Sequence, residues 1–529
     1  MTTMTTTAPV LIAGEWRPSR GAGSFHADNP ATGEPLTDLY PISSWADCDA
    51  ALEAASGAAS TLRTTPRDQI ARFLSRFAER LEERKTELVD RALLETALAR
   101  TPRLADVELP RTTNQLRQAA AAADEGSWAL PTIDTKLNIR SCFEPMGPVA
   151  VFGPNNFPFA FNAVSGGDFA AAIASGNPVI AKAHPLHPGT TRLLAEEAHA
   201  AVKDSGLPAA TVQLLYHMEP DSGLRLVSDK RIGATAFTGS RAGGLALKSA
   251  ADGAGKPIYL EMSSVNPVFV LPGALAERGQ KVAEEFVSSS LLGGGQFCTN
   301  PGLVLLFAGS GADQFVATVK EKFESASSAQ LFSSGVARSL LDSVSSWRAA
   351  GAEMVTGDGP VTAAGYRCAN TLLRTTGDRF LAAPEKLQRE AFGAAALVVV
   401  VSDLRQASDV IAHLEGSLTG CVYSDSQGKD DALYAVLAPV LQQRVGRLLN
   451  DRMPTGVADS SAMHHGGPYP ATGHPGFTAV GIPASLRRFG ALRCYDNVRP
   501  ARLPDALGER NPNGRMWRLV DGRFTQADA

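Results

Sequence analysis

The chain has 529 residues and a formal net charge of −4 at pH 7, with 44% hydrophobic and 20% charged residues. This length exceeds that of one ordinary domain, and the composition suits packed cores rather than a disordered chain. The small net charge argues against nucleic acid as a partner, because a phosphate backbone is bound through an excess of basic residues.

Cysteine content and apolar runs indicate a cytoplasmic protein. Six cysteines in this length are too few for a disulfide framework and favour a reducing compartment. The longest strongly apolar run, residues 394–401, is far shorter than the roughly 20 residues of a membrane-spanning helix. Residues 1–10 show no signal pattern, so we expect neither secretion nor a membrane partner.

Predicted elements follow one another in a regular order. A helical region over 67–99 and a helix over 107–123 precede a polar, alternating stretch over 132–144. Apolar runs then alternate with helical patterns such as 190–204, and the scarcity of polar residues within the runs indicates parallel sheets. This rhythm predicts an α/β fold. The predicted strands are 149–152, 178–182, 212–215, 234–237, 258–261, 268–271, 303–307, 397–401 and 420–423.

One cysteine follows a glycine-rich stretch. Residues 293–295 are all glycine and precede Cys298, with Gln296 and Phe297 between them. Glycines allow a sharp turn and a close approach of substrate, and a backbone N–H at such a turn can donate to an oxyanion. A cysteine there is a candidate nucleophile, although the local sequence also fits a buried structural cysteine.

Three further motifs follow predicted strands at their carboxyl ends, where open α/β proteins build their sites. Asn156, in Gly-Pro-Asn-Asn-Phe-Pro after the strand 149–152, can face developing negative charge or cap a turn. Ser240, which ends Phe-Thr-Gly-Ser, can begin an anion-binding helix or be an ordinary cap. Glu261 ends the strand 258–261 and is either a general base or one more surface carboxylate.

A metal site is not expected. The cysteines are isolated from one another, and the histidine pairs at 184/187 and 464/465 have no further ligands at a usable spacing. No Gly-x-Gly-x-x-Gly follows a predicted strand, so the common dinucleotide fingerprint is also missing.

In their order along the chain, these motifs resemble the aldehyde dehydrogenase superfamily from about residue 11 to residue 495. Each motif alone is weak, but the whole series lies at strand-to-loop positions. The matching segments are Gly-Pro-Asn-Asn-Phe-Pro (153–158), Val-Ile-Ala-Lys (179–182), Phe-Thr-Gly-Ser (237–240), Tyr-Leu-Glu-Met (259–262), Gly-Gln-Phe-Cys (295–298) and Glu-Ala-Phe-Gly (390–393).

The resemblance implies an α/β architecture of three parts. They are a Rossmann-like cofactor-binding domain (1–130 and 147–262), an α/β catalytic domain (263–480) and a β oligomerisation arm (131–146 and 481–502). In this superfamily the arm adds a strand to a neighbour's sheet, so a homodimer or homotetramer is expected.

The resemblance also implies the oxidation of an aldehyde to an acid. Cys298 is expected to attack the carbonyl carbon, while the Asn156 amide and the Cys298 backbone N–H stabilise the oxyanion. Glu261 is expected to activate the water that releases the acid from the resulting thioester.

The same likeness assigns a nicotinamide cofactor. Relatives that prefer NAD often carry a glutamate three positions after Lys182, where this chain has Pro185, so a carboxylate that would repel a 2′-phosphate is missing. We therefore expect NADP, and leave NAD use open. The expected cofactor-binding residues are Lys182, Pro185, Phe237, Thr238, Gly239, Ser240, Glu390 and Phe392. Two departures from the family pattern are Asn155, where tryptophan is usual, and Ser263-Ser264, where Gly-Gly is usual.

Three segments, 261–267, 295–302 and 465–472, look most like the NADP-linked 2,5-dioxovalerate (α-ketoglutaric semialdehyde) dehydrogenases. Bacterial NADP-linked fatty aldehyde dehydrogenases are similar in the same segments. A carboxylated substrate favours an arginine, and Arg111 falls where the superfamily has its substrate entrance; a surface arginine on an amphipathic helix is the alternative. The expected apolar walls, which also suit an alkyl chain, are Phe157, Phe161 and Phe297.

Two alternatives of other classes are a CoA-acylating dehydrogenase and a non-catalytic structural protein on the same fold. Glu261 counts mildly against the first, because transfer to CoA needs no base for water. The joint presence of Cys298, Asn156, Lys182 and Glu390 with Glu261 argues against the second.

Overall fold

The computed structural model describes residues 6–361 and 363–529, so residues 1–5 of the predicted cofactor-binding domain lie outside the described residues. In the described part of the chain the first sheet has seven strands, and its central strands are parallel and buried. Side by side, they are Ile258–Glu261, Ala234–Thr238, Val149–Phe152, Val179–Lys182, Val212–Leu215, Val10–Ile12 and Glu15–Arg17.

Helices from the first half of the chain pack with this sheet into one apolar core. The predicted helical region over 67–99 forms two helices, and the helix that carries Arg111 stops at Gly126, which has a φ of 81°. The helices are Trp45–Leu62, Arg67–Glu83, Lys85–Thr96, Leu109–Glu125, Gly167–Ala174, Pro188–Ser205, Pro220–Ser228 and Arg241–Gly253. Arg100–Glu108 is a π-helical segment of nine residues. Short 3₁₀ turns are Ser127–Ala129, Ala209–Thr211, Leu292–Gly295, Ala484–Phe489, Pro500–Arg502 and Asp505–Leu507.

The second sheet is also seven-stranded over the described residues, and it is mostly parallel. Side by side, its strands are Glu353–Thr356, Thr371–Thr376, Ala395–Val401, Leu303–Phe307, Val268–Val270, Ser417–Tyr423 and Val445–Asn450. Its helices are Pro272–Leu291, Ser310–Ser325, Ser334–Ala349, Gly377–Ala382, Pro384–Leu387, Leu404–Ala412 and Asp431–Gln442. Each of the two sheets is mostly parallel, and helices connect its strands along the chain. This arrangement confirms the predicted α/β class.

A third sheet, called the arm sheet below, contains strands from both segments that are predicted to form the arm. The stretch predicted over 132–144 is two antiparallel strands, and a C-terminal hairpin that the sequence prediction did not include extends the sheet. Side by side, the arm strands are Gly490–Asp496, Ile139–Pro145, Thr132–Asp134, Arg518–Val520 and Arg523–Thr525. Two small strand pairs lie near the amino terminus: Ser24–Phe25 with Tyr40–Pro41, and Asp28–Asn29 with Glu34–Pro35.

One segment joins the two large sheets. The Met262 N–H donates to the Ala471 carbonyl at 2.8 Å, and the Gly473 N–H donates to the Leu260 carbonyl at 3.1 Å. Residues 471–473 therefore run beside the strand that ends in Glu261 and bring the preceding residues to its carboxyl end. Over the described residues, none of the helices combines the length and apolarity that crossing a membrane requires.

Candidate active site

A cleft of about 900 Å³ lies at the carboxyl ends of the first sheet and has Cys298 in its wall. It brings together most of the predicted catalytic and cofactor-binding residues. Those in its wall are Asn156, Pro185, Thr238, Gly239, Ser240, Glu261, Cys298, Glu390 and Phe392. Lys182 and Phe237 lie on the strands that flank Val149–Phe152, and among the described residues neither lines the cleft itself.

The loop that carries Cys298 depends on left-handed glycines. Gly293, Gly294 and Gly295 have φ angles of 58°, 68° and 71°. A Cβ at Gly295 would lie 2.2 Å from the carbonyl oxygen of Gly393, so no side chain fits there. The turn and this close approach leave Cys298 half-buried at the cleft instead of inside a packed core.

A histidine that the sequence prediction did not include contacts Cys298. The Cys298 Sγ lies 3.2 Å from His465 Nε2, and His465 Nδ1 lies 3.0 Å from Glu261 Oε2. His465 and Glu261 are 1% and 2% exposed. Desolvation and the nearby Glu261 carboxylate raise the pKa of the Cys298 thiol well above its usual range.

Two asparagines hold the backbone around the thiol. Asn156 Nδ2 donates to the Gln296 carbonyl at 3.0 Å, and Asn266 Nδ2 donates to the Cys298 carbonyl at 2.9 Å. An amide group has two N–H donors, so Asn156 keeps a second one. The Cys298 backbone N–H donates to none of the residues that the structure describes. Both donors are therefore free for an oxygen bound beside Sγ.

The part of the cleft next to the first sheet has the character of a nucleotide site. The Ser240 hydroxyl accepts from the Gly243 N–H at 3.3 Å, so Ser240 is the cap of the helix Arg241–Gly253, and that helix begins in the cleft wall. Desolvation lowers the pKa of Lys182 to about 8. His184, two residues further on, lies in the wall beside Pro185.

Glu390 lies beside the two serines that stand where the family usually has glycines. The Ser264 N–H donates to the Glu390 Oε1 at 3.3 Å, and the nearby Ser263 hydroxyl favours the charged carboxylate. Desolvation outweighs both effects and raises the pKa of Glu390 to about 7. This carboxylate therefore changes its charge in the neutral pH range.

Arg111 has donors without partners. It lies on the helix Leu109–Glu125 with its Cζ 5.5 Å from the centroid of the Phe161 ring. Nη1 donates to the Val457 carbonyl, whereas Nε and Nη2 are buried and bond to no described residue. The centroids of the Phe161 and His465 rings are 5.8 Å apart, so a single aromatic ring separates Arg111 from the histidine that contacts Cys298.

The predicted apolar walls form one cluster. The ring centroids of Phe157 and Phe161 lie 4.9 Å apart, and those of Phe157 and Phe297 lie 5.5 Å apart, both in T-shaped contacts. A second cation, Arg103, stands 4.3 Å from the Phe157 ring centroid. It differs from Arg111 because it is paired with the buried Glu108 at 3.1 Å.

Comparison with known proteins identifies the family of this chain. The model of the aldehyde dehydrogenase family matches residues 16–439. The chain belongs to the aldehyde dehydrogenase family. Alpha-ketoglutaric semialdehyde dehydrogenase 2 of Azospirillum brasilense is 38% identical, over 98% of this chain and 100% of the relative. Alpha-ketoglutaric semialdehyde dehydrogenase of Acinetobacter baylyi is 35% identical, over 79% of this chain and 80% of the relative.

Solved structures of the family share the fold. An aldehyde dehydrogenase variant from Pseudomonas syringae in complex with NAD+ and octanal has a TM-score of 0.79 and 20% identity, with 95% of this chain and 99% of that chain covered. Lactaldehyde dehydrogenase from Escherichia coli has a TM-score of 0.77 and 20% identity, with 92% and 98% covered. The fold expected from the resemblance is thereby confirmed.

This enzyme is therefore an aldehyde dehydrogenase that works with a nicotinamide cofactor. The cleft fits such a cofactor, because it is large enough for a dinucleotide and a helix begins in its wall at Ser240. Gly239 lies in the cleft wall without a side chain, and a Cβ there would lie 2.9 Å from the Phe237 ring. Glu390 offers a carboxylate to hydroxyl groups in the same cleft.

Proposed function

We propose that this enzyme oxidises 2,5-dioxovalerate (α-ketoglutaric semialdehyde) to 2-oxoglutarate with NADP. Cys298 attacks the aldehyde carbon as a thiolate, and the Asn156 amide and the Cys298 backbone N–H donate to the oxyanion. The cofactor, when bound, supplies the hydride acceptor that makes the oxidation possible. Glu261 is the general base that accepts a proton from the water that hydrolyses the thioester on Cys298.

Arg111 carries the substrate assignment. Its Nε and Nη2 are buried and have no hydrogen-bond partner among the described residues. They have the fork geometry that binds a carboxylate through two hydrogen bonds. A buried donor without a partner is costly, and a bound carboxylate would remove that cost. 2,5-Dioxovalerate carries a carboxylate at the end opposite its aldehyde. The names of the two relatives at 38% and 35% identity support the same substrate.

NADP is favoured by the groups around the end of the strand Val179–Lys182. Pro185 in the cleft wall presents no carboxylate to repel a 2′-phosphate. His184 lies in the same wall with its ring nitrogens, and Lys182 ends the strand just before them. We expect kcat/KM to be higher with NADP than with NAD, and Pro185→Glu to reverse the order. A strong NAD preference in the unchanged enzyme would contradict this cofactor assignment.

A panel of aldehydes tests the substrate. The assay follows the absorbance of the reduced nicotinamide with 2,5-dioxovalerate, succinic semialdehyde, glutaraldehyde and long-chain alkanals, each with and without CoA. We expect the highest kcat/KM with 2,5-dioxovalerate, 2-oxoglutarate as its product, and no dependence on CoA. A strict requirement for CoA would indicate the acylating class instead.

The phenylalanine cluster favours one further candidate, a fatty aldehyde dehydrogenase. Phe157, Phe161 and Phe297 present apolar edges and faces that an alkyl chain can cover. If long-chain alkanals surpass 2,5-dioxovalerate in kcat/KM, this second function is the correct one.

We propose that the domains have the bounds expected from the sequence, with the hairpin 518–525 added to the arm, and that the arm builds a cytoplasmic homodimer or homotetramer. The edge strand Gly490–Asp496 leaves Leu492 63% exposed, which suits pairing with another copy. All six cysteines are free thiols, as a reducing compartment allows. Light scattering after gel filtration should give the mass of two or four chains.

A further inference from the structure

Three side chains from separate segments meet beside the cleft. Cys298 comes from the glycine loop, Glu261 from the end of a first-sheet strand, and His465 from the segment that crosses between the sheets. One ligand-type atom of each lies within 4.8 Å of those of the other two. The contacts run in series, with 3.2 Å from Sγ to Nε2 and 3.0 Å from Nδ1 to Oε2.

The Glu261 carboxylate decides which nitrogen of His465 carries the proton. Nδ1 and Oε2 are both buried, and neither makes a well-aligned hydrogen bond to any described residue, although they lie 3.0 Å apart. This contact is favourable only when Nδ1 bears a hydrogen, because two lone pairs at that distance repel each other. The Nε2 lone pair then faces the thiol of Cys298, which is the arrangement of a general base beside its nucleophile.

The thiol needs such a base. Desolvation and two carboxylates keep the pKa of Cys298 high, so few molecules carry a thiolate unless the proton moves to a neighbour. His465 Nε2 is the nitrogen within hydrogen-bonding distance of Sγ among the described residues. The charged and titratable groups around the thiol and the imidazole are Glu261, Glu390, Arg111, Arg447, His464 and the ion pair Asp168–Arg488.

We propose that His465 is a further catalytic residue, the general base that removes the proton of Cys298 and is itself oriented by Glu261. The proposal rests on the proposed role of Cys298 as nucleophile. The S–H bond breaks and its proton moves to His465 Nε2, while the sulfur electron pair forms the bond to the aldehyde carbon. The carbonyl π pair moves to oxygen, and the imidazolium stays beside the Glu261 carboxylate, so charge and protons balance.

Alkylation by iodoacetamide without aldehyde or cofactor tests this proposal. The rate at Cys298 is measured by peptide mass spectrometry from pH 6 to pH 10, and free N-acetylcysteine, treated under the same conditions, is the reference thiol. We expect Cys298 to react faster than this reference at neutral pH. In His465→Gln the alkylation rate of Cys298 at pH 7 should fall about a hundredfold, which is typical of a lost general base. The difference between the wild-type and variant rates should become smaller at high pH.

Two variants serve as controls. His464→Gln changes the adjacent, half-buried histidine and should leave the Cys298 profile unchanged. His465→Ala should regain part of its alkylation rate at neutral pH when imidazole is added, which a purely structural loss would not allow.

The proposal is overturned if Cys298 in His465→Gln keeps the wild-type rate and pH profile relative to N-acetylcysteine. If His465 variants do not fold, the unchanged enzyme still decides, because alkylation of Cys298 no faster than that of N-acetylcysteine at neutral pH also overturns it. None of these measurements uses an aldehyde, so they are independent of the substrate assignment. A failed aldehyde panel with a His465-dependent Cys298 would refute the substrate alone.

Discussion

Replacing Arg111 with methionine removes the proposed carboxylate partner and keeps an aliphatic chain over the Phe161 ring. The structure gives the size of the effect, because Nε and Nη2 are the two donors without partners. Each hydrogen bond from a charged group contributes about 1.5–3 kcal/mol, so two contribute at least about 3 kcal/mol. At about 1.4 kcal/mol for each factor of ten, kcat/KM for 2,5-dioxovalerate should fall roughly a hundredfold.

The assay compares kcat/KM for 2,5-dioxovalerate and hexanal in the unchanged enzyme, Arg111→Met and Arg117→Met. Hexanal has no carboxylate and forms neither of these bonds, so its kcat/KM should change little. Arg117 lies on the same helix and pairs with Glu82 on the exposed face, which makes it the matched control with little expected effect. Equal losses for both aldehydes in Arg111→Met would refute the carboxylate role.

Three further predictions follow from charges and contacts in the cleft. The pKa of Glu390 is raised to about 7, so its negative charge is lost as the pH falls through that value. The Kd for the cofactor should therefore rise below pH 7. Glu390→Gln should remove this pH dependence, which a fluorescence titration of cofactor binding measures. The pKa of Lys182 is lowered to about 8, so its positive charge is lost as the pH rises through that value. Because NADP carries an additional phosphate, KM for NADP should increase with pH more steeply than KM for NAD. Gly295→Ala places a Cβ 2.2 Å from the Gly393 carbonyl oxygen at a φ of 71°. This substitution should lower Tm in thermal unfolding and kcat in the aldehyde assay. An unchanged Tm would contradict this close approach.

The parallel strands could be predicted because each is an apolar run buried on both faces. Residues 149–152, 212–215 and 303–307 have the same bounds in the sequence prediction and in the structure. Ser417–Tyr423 begins earlier than the predicted 420–423, because Thr419 is buried and its backbone N–H donates to Asn266. Such a polar start is satisfied by a partner distant in sequence, which no local pattern reveals.

The same limit applies to the site. Cys298, Asn156 and Glu261 stand in recognisable loop motifs, and all of them line the cleft. His465 is 167 residues from Cys298, and its position depends on residues 471–473 crossing to the first sheet. The available signal was that His465 precedes two glycines in the segment 465–472, which resembles the 2,5-dioxovalerate dehydrogenases. Only the tertiary structure gives this histidine a chemical partner.

The C-terminal hairpin gives the arm sheet two unequal borders. Its turn is Asp521-Gly522, with φ angles of 45° and 80°, a residue pair typical of tight hairpins. One border is the seven-residue strand Gly490–Asp496, and the other is the three-residue strand Arg523–Thr525. A sheet can grow without limit by adding chains only when both of its edge strands can pair with new strands. A very short edge strand discourages such pairing. If the arm pairs with another copy as proposed, these borders favour a closed assembly over a fibril.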